Sequence, residues 1–219
     1  MTTLGIIGSG NIGSQLARAF AGIGHDIVIA NSRGPASLTE FAAEVSGAGG
    51  GTVTAGTVQE ASEAGDIVVV TIPLSAVPSI PSAPLAGRIV LDTNNYYPAR
   101  DGNIAELDEE RLTTAEWVAR HFADSTVVKA FNHIPAADIL DHAEAPGSPT
   151  RRALMIYGDQ DDAVGRVREL VEAIGFDALP GGGLDESWRI QRDTPGYGPR
   201  FAADELRAML TDVRRYGEG

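Results

Sequence analysis

The chain has 219 residues, 43% of them hydrophobic, and 17 basic against 30 acidic side chains for a net charge of −13. A chain of this size buries roughly 70% of its unfolded surface, enough for a core without a metal or disulfide staple. Cysteine is absent. That excludes disulfides, thiolate nucleophiles, iron–sulfur clusters and cysteine-ligated zinc, and the acidic balance repels nucleic acid and anionic membranes. Met1-Thr2-Thr3 has no basic leader character, and the longest apolar run, Ile67 to Ile72, is far shorter than the roughly 20 residues that span a bilayer. A soluble cytoplasmic protein with no nucleic-acid or membrane partner is expected.

In chain order, Leu4–Ile7 reads as a short buried strand. Helical spacing over Asn11–Ile23 puts Ile12, Leu16, Ala19, Phe20 and Ile23 on one face. Asp26–Ala30 reads as a strand, Leu38–Val45 as a helix, Gly47–Gly51 as a turn, Thr52–Thr54 as a short strand and Val58–Ala64 as a helix. Asp66–Ile72 is β-branched almost throughout, as suits a strand covered on both faces. Arg88–Leu91, the helix Ala115–Phe122 and the strand Thr126–Phe131 follow. This alternation predicts an α/β fold with a doubly wound parallel sheet. Past about residue 145 the texture changes. Ala145-Pro-Gly-Ser-Pro149 reads as a linker, Ala153–Tyr157 as a strand, Ala163–Ile174 as a helix, Ala178–Leu179 as a short strand and Ala202–Tyr216 as a terminal helix. The expected division is 1–145 as a Rossmann domain and 146–219 as a small C-terminal α/β extension, packed on the first sheet and completing a cleft.

Gly8-Ser9-Gly10-Asn11-Ile12-Gly13 follows the first strand and opens the first helix, the context that the dinucleotide fingerprint requires. Gly8 permits the turn, Gly10 lets backbone approach a pyrophosphate, and Gly13 lets helix pack on strand. The helix N-terminus supplies free N–H donors and partial positive charge. After the second strand, an NAD site usually has Asp or Glu for the ribose 2′-hydroxyl. Here the sequence is Ala30-Asn31-Ser32-Arg33-Gly34. A hydroxyl and a guanidinium suit a 2′-phosphate, so NADP(H) is the expected cofactor.

With Asn31-Ser32-Arg33, Thr71-Ile72-Pro73, Asp92-Thr-Asn-Asn95 and Lys129-Ala-Phe-Asn-His-Ile-Pro135, the chain resembles NADPH-dependent oxidoreductases related to NADP:coenzyme F-420 oxidoreductase. That group includes the cytosolic domain of the six-transmembrane ferric reductases. The likeness covers residues 1–140 well and the rest more loosely. It implies hydride transfer between NADPH and a flavin-like ring, coenzyme F-420 or a flavin, and a homodimer. It places Thr71, Ile72 and Pro73 under the nicotinamide, Asn94 and Asn95 near the cofactor, and Asn132, His133, Ile134 and Pro135 facing the acceptor ring. The deazaflavin-specific enzymes tend to have His where this chain has Asn132; its own His lies one position later.

Reduction of a carbonyl or imine needs a proton donor where charge develops. His133 titrates in a useful range; it is either that donor or a surface residue. Lys129, inside an apolar strand, is either an anion or cofactor contact or a snorkelling side chain. Tyr96 and Tyr97 are either donors or core aromatics. Trp188-Arg-Ile-Gln-Arg192 and Pro195-Gly-Tyr-Gly-Pro199 form a lid, a dimer contact or a plain loop. His121 and His142 have no partners at ligand spacing, so no metal is expected. The leading expectation is an NADPH-dependent oxidoreductase with a flavin-like or deazaflavin acceptor. The alternatives are a small imine or carbonyl reductase and a non-catalytic NADPH-binding redox sensor.

Overall fold

A computed structural model describes residues 2–48 and 50–215. Its strands are β1 (Thr3–Ile7), β2 (Asp26–Ala30), β3 (Val53–Ala55), β4 (Ile67–Val70), β5 (Ile89–Asp92), β6 (Thr126–Lys129), β7 (Ala153–Gly158) and β8 (Asp177–Pro180). They form a single sheet in the order β3-β2-β1-β4-β5-β6-β7-β8. Pairing is parallel except where β7 runs antiparallel to β6, through Val128↔Gly158 and Lys129↔Tyr157. The sequence therefore places the doubly wound sheet correctly. Residues 153–180 extend that sheet at its β6 edge rather than packing on its face.

The sheet is covered on both sides because β4 is apolar at every position. Ile67 and Val69 join a core with the helix α1 (Asn11–Gly22) and the helix Asp161–Ala173. Val68 and Val70 join the opposite core, under the helix Thr114–His121. Each such buried side chain contributes about 1.5–3 kcal/mol relative to exposure. Helix starts follow local chemistry. Thr57 Oγ1 accepts from the Glu60 N–H at 3.2 Å, and Glu60 Oε2 accepts from the Thr57 N–H at 2.7 Å, a reciprocal cap that opens α3 (Val58–Glu63).

Several boundaries differ from expectation. The helix expected from Leu38 splits into a 3-10 turn, Pro35–Leu38, and α2 (Thr39–Gly47). Of the expected Gly47–Gly51 turn, Gly49 lies outside the described residues. The strand expected to reach Phe131 ends at Lys129, and Phe131 turns the chain at φ +59. The terminal helix spans Ala203–Thr211, and Tyr216 lies outside the described residues. No helix among the described residues is long and apolar enough to cross a membrane.

The topology fixes where a ligand sits. The chain leaves β1 toward β2 and β3, then returns to β4 on the other side of β1. The carboxyl ends of β1 and β4 are level, with Ile7 opposite Val70. The crevice beyond such a reversal is where open α/β sheets bind ligands.

Candidate active site

The loop after β1 is built by contact with the loop after β4. Gly8 has φ +115, and a Cβ there would lie 2.1 Å from the Thr71 carbonyl oxygen. A Cβ on Gly13 would lie 2.0 Å from the Gly8 carbonyl oxygen. Both glycines are therefore demanded by backbone packing. Gly10 differs. A Cβ there would meet nothing within 4 Å, and its φ of −72 suits any residue. Nothing in the protein asks for glycine at that position. Gly10 is the N-cap of α1 and caps it with no side chain. This leaves N–H donors at the positive end of a helix facing open space, as a pyrophosphate requires.

The turn after β2 is tied to this loop. Asn31 Nδ2 donates to Ser9 Oγ and Ser37 Oγ, each at 3.0 Å, and Asn31 Oδ1 accepts from the Arg33 N–H at 2.8 Å. Asn31 is thus a spacer that orders the turn, while Ser32 and Arg33 are exposed at its tip. Among the described residues nothing pairs with the Arg33 guanidinium. Gly8, Ser9, Gly10, Asn31, Ser32, Arg33, Thr71, Ile72 and Pro73 share one cavity of about 630 Å³.

A second chamber of about 400 Å³ continues from it. Gly10, Thr71, Ile72 and Pro73 line both. Asn11, Ile12, Asn94, Asn95, Tyr97, Asn132 and Tyr197 complete the second. The Asn94 side chain is held by one end only. Its Oδ1 accepts from the Ile72 N–H at 3.1 Å, and its buried Nδ2 has no partner among the described residues. An unsatisfied buried amide costs about 1–3 kcal/mol, so this donor fits a ligand acceptor. The open Gly10 cradle, the unpaired Arg33 and the Asn94 amide together fit a 2′-phosphorylated dinucleotide.

Asn132 lies in a closed network. Its Nδ2 donates to Ile190 O at 2.8 Å and Asn95 Oδ1 at 3.2 Å, and Asn95 Nδ2 donates to Asn132 O at 2.7 Å. His133 is turned inward. Its Nε2 accepts from the Met155 N–H at 3.1 Å, which fixes the Nδ1–H tautomer donating to Asn132 Oδ1 at 3.3 Å. Burial, with Arg152 and Lys129 nearby, lowers its pKa from 6.5 to about 3. A neutral imidazole with both nitrogens engaged gives no proton to an acceptor. The structure places His133 behind Asn132, with both ring nitrogens bonded within the fold.

Lys129 also differs from expectation. It is fully buried and pairs with Asp92 at 2.9 Å, and it also donates to the Asn94 carbonyl. It touches backbone and carboxylate rather than cleft. Desolvation lowers its pKa, opposed by Asp92. The Tyr96 hydroxyl donates to Asp108 Oδ1 at 2.6 Å and accepts from the Ile104 N–H at 2.9 Å, a structural role. Among the described residues no cluster of His, Asp or Glu could hold a metal. Sequence reasoning missed Tyr197 as a cleft residue. Its setting, Pro195-Gly-Tyr-Gly-Pro199, signalled a lid, a dimer contact or a plain loop without singling out the tyrosine.

Comparisons with known proteins agree with this geometry. Residues 3–96 match the family described as NADP oxidoreductase coenzyme F420-dependent. Metalloreductase STEAP3 of Rattus norvegicus is 30% identical over 193 residues, which cover 86% of this chain and 35% of that protein. The chain thus spans about a third of that relative's length. F420-dependent NADP reductase of Methanothermobacter thermautotrophicus is 29% identical over 200 residues, covering 86% of this chain and 84% of that one. The crystal structure of SMa0349, a hypothetical protein from Sinorhizobium meliloti, is similar at a TM-score of 0.77 and 32% identity, covering 92% of this chain and 95% of that one. With the phosphate loop, the Ser32-Arg33 turn and these relatives in agreement, the chain is similar to NADP oxidoreductases, whose family model it matches over residues 3–96.

Proposed function

We propose that this protein transfers hydride between NADP(H) and a flavin-like or deazaflavin acceptor. The observation that carries the reading is the continuity of the two chambers through Gly10, Thr71, Ile72 and Pro73. A dinucleotide held at one end by the phosphate loop would have that shared floor between the phosphate loop and the Asn-lined chamber. The names of the curated relatives support the acceptor class.

When bound, NADPH supplies the hydride, and the protein supplies orientation and electrostatics. The free N–H groups from Gly10 to Gly13, flanked by Ser9, hold the pyrophosphate. Ser32 and Arg33 hold the 2′-phosphate, and Asn31 fixes their turn against Ser9. Thr71-Ile72-Pro73 would form the platform for the nicotinamide, and Asn94 would offer its unpaired amide there. Asn95 and Asn132 form the wall on the acceptor side, locked to each other and, through Asn132, to His133. We also infer that residues 146–219 act as a C-terminal part completing this cleft, since Tyr197 from that part lines it. A soluble cytoplasmic enzyme is consistent with the charge of −13.

The test is NADPH oxidation by the purified protein with coenzyme F-420, FMN, FAD and a panel of small carbonyl and imine compounds, repeated with NADH. Turnover with a flavin-type ring and preference for NADPH is the expected result. Turnover only with carbonyls or imines overturns the acceptor class. Tight NADPH binding with no turnover on any acceptor favours a sensor.

A further inference from the structure

A hydroxyl pair stands in the acceptor chamber outside all these roles. The Tyr97 and Tyr197 hydroxyl oxygens lie 2.5 Å apart, joining residues 100 positions apart in the chain. Both side chains line the 400 Å³ chamber with Asn94, Asn95 and Asn132. One hydroxyl proton is used between the two oxygens. The other has no acceptor among the described residues, so the pair offers one free O–H.

Each tyrosine is held in place. The Tyr97 N–H donates to Asp101 Oδ2 at 2.9 Å. The guanidinium carbons of Arg100 and Arg192 lie 4.8 and 5.7 Å from the Tyr97 ring centroid. The Tyr197 segment is pinned by Arg152, 1% exposed, which donates to Gly198 O at 2.8 Å and Pro199 O at 3.1 Å. The Gly198 N–H also donates to His133 O at 3.1 Å. Both guanidiniums are paired, Arg100 with Asp101 at 2.8 Å and Arg192 with Asp193 at 2.7 Å, so it is the donor fixed in advance, rather than net charge, that suits an oxygen on which negative charge develops.

We propose that the Tyr97–Tyr197 pair binds a carbonyl oxygen of the acceptor, one conjugated with, or attached to, the atom that takes the hydride. This rests on the reading of the cleft as an NADP(H) site. Hydride brings two electrons to that atom (a carbon in a carbonyl compound or deazaflavin, a ring nitrogen in a flavin), NADPH is oxidised to NADP⁺, and the conjugated π pair moves toward the carbonyl oxygen. The free hydroxyl of the pair hydrogen-bonds that oxygen in a conjugated ring. With an isolated carbonyl it gives up its proton, and the other tyrosine passes on a proton from solvent. Burial, and then the bond to Tyr97, raise the Tyr197 pKa, which keeps the hydroxyl protonated at neutral pH. Two sources share this chemistry, the carbonyl edge of a flavin-type ring and a small ketone or enone.

The experiment compares wild type with Tyr197→Phe and Tyr97→Phe in the full chain. Readouts are the NADPH Kd, the quenching of FMN and coenzyme F-420 fluorescence by the nucleotide-free protein, and kcat with FMN, F-420, cyclohexanone and cyclohexenone. Expected are an unchanged NADPH Kd and a roughly 100-fold lower kcat in Tyr197→Phe, the order seen when one oxyanion donor is removed. If the substrate is a ring, its binding weakens about tenfold in the same variant. If it is a small ketone or enone, that arm alone loses turnover and gains a solvent isotope effect. Variants that match wild type in kcat and ring binding overturn the proposal. So does a wild type that binds NADPH but neither binds nor reduces any of the four compounds. A wild type that fails to bind NADPH overturns the reading of the cleft itself.

Discussion

Asp92 and Lys129, both fully buried and 2.9 Å apart, hold the backbone of one residue, Asn94, through its two flanking peptides. Asp92 Oδ1 accepts from the Asn94 N–H at 2.8 Å, and Lys129 Nζ donates to the Asn94 carbonyl oxygen. The ion pair joins neighbouring strands, since Asp92 and Lys129 are register partners in β5 and β6. Its effect is to fix Asn94, whose side chain reaches the loop after β4. Two charges in the interior thus serve the cleft without touching it.

Lys129→Met leaves Asp92 buried without its partner. Breaking a buried pair from one side costs about 3–5 kcal/mol. Urea unfolding at pH 7.5 should show that loss. The Asp92→Leu/Lys129→Met double variant should recover part of it while binding NADPH less tightly, because Asn94 is no longer held.

Arg33→Ala should weaken NADPH far more than NADH. A hydrogen bond to a charged group is worth about 1.5–3 kcal/mol, so the NADPH Kd should rise by roughly 10- to 150-fold. Equal weakening of the two nucleotides, read by isothermal calorimetry, would remove Arg33 from the 2′-phosphate site.

Gly10→Ala and Gly13→Ala should separate binding from folding. The methyl at residue 10 enters open space, whereas at residue 13 it lies 2.0 Å from the Gly8 carbonyl oxygen. Gly10→Ala should leave the melting temperature unchanged or slightly raised and lose most nucleotide affinity. Gly13→Ala should unfold at lower temperature. Thermal scans with and without NADPH distinguish the two.

The buried imidazole makes stability depend on pH. His133 has a folded pKa of about 3 against the ordinary 6.5. Below 6.5 the unfolded chain takes up a proton that the folded one refuses, so stability is full above that pH and falls as pH drops toward 3. Between pH 7.5 and pH 5 the loss should be about 2 kcal/mol. His133→Gln should remove most of that slope. Urea midpoints at the two pH values check it, and an unchanged slope would show that another group is responsible.

The parallel sheet and its phosphate loop were legible because both are local. A β-branched run such as Ile67–Val70 has little choice but a two-sided strand, and Gly8 and Gly13 mark where backbone meets backbone. Misplaced boundaries came from tertiary demands. The strand from Thr126 ends at Lys129, two residues before Phe131 adopts φ +59, a conformation that no propensity of phenylalanine announces. The antiparallel joining of β7 to β6 was equally hidden, because two register pairs decide it.

The sequence by itself determined the α/β class, the nucleotide loop and the Ser32-Arg33 turn without a carboxylate. Each is a matter of residue type at short spacing. Only the tertiary structure decided what the single chemical groups do. His133 and Lys129, read as possible cleft contacts, are buried on partners inside the fold, while Tyr197, from a loop read as a lid, a dimer contact or a plain loop, meets Tyr97 inside the chamber. Which way a side chain faces depends on partners 22 to 100 residues away, such as Met155 for His133 and Tyr97 for Tyr197. A polar group's role follows from its desolvation and its bonds, and those exist only once the chain has closed on itself.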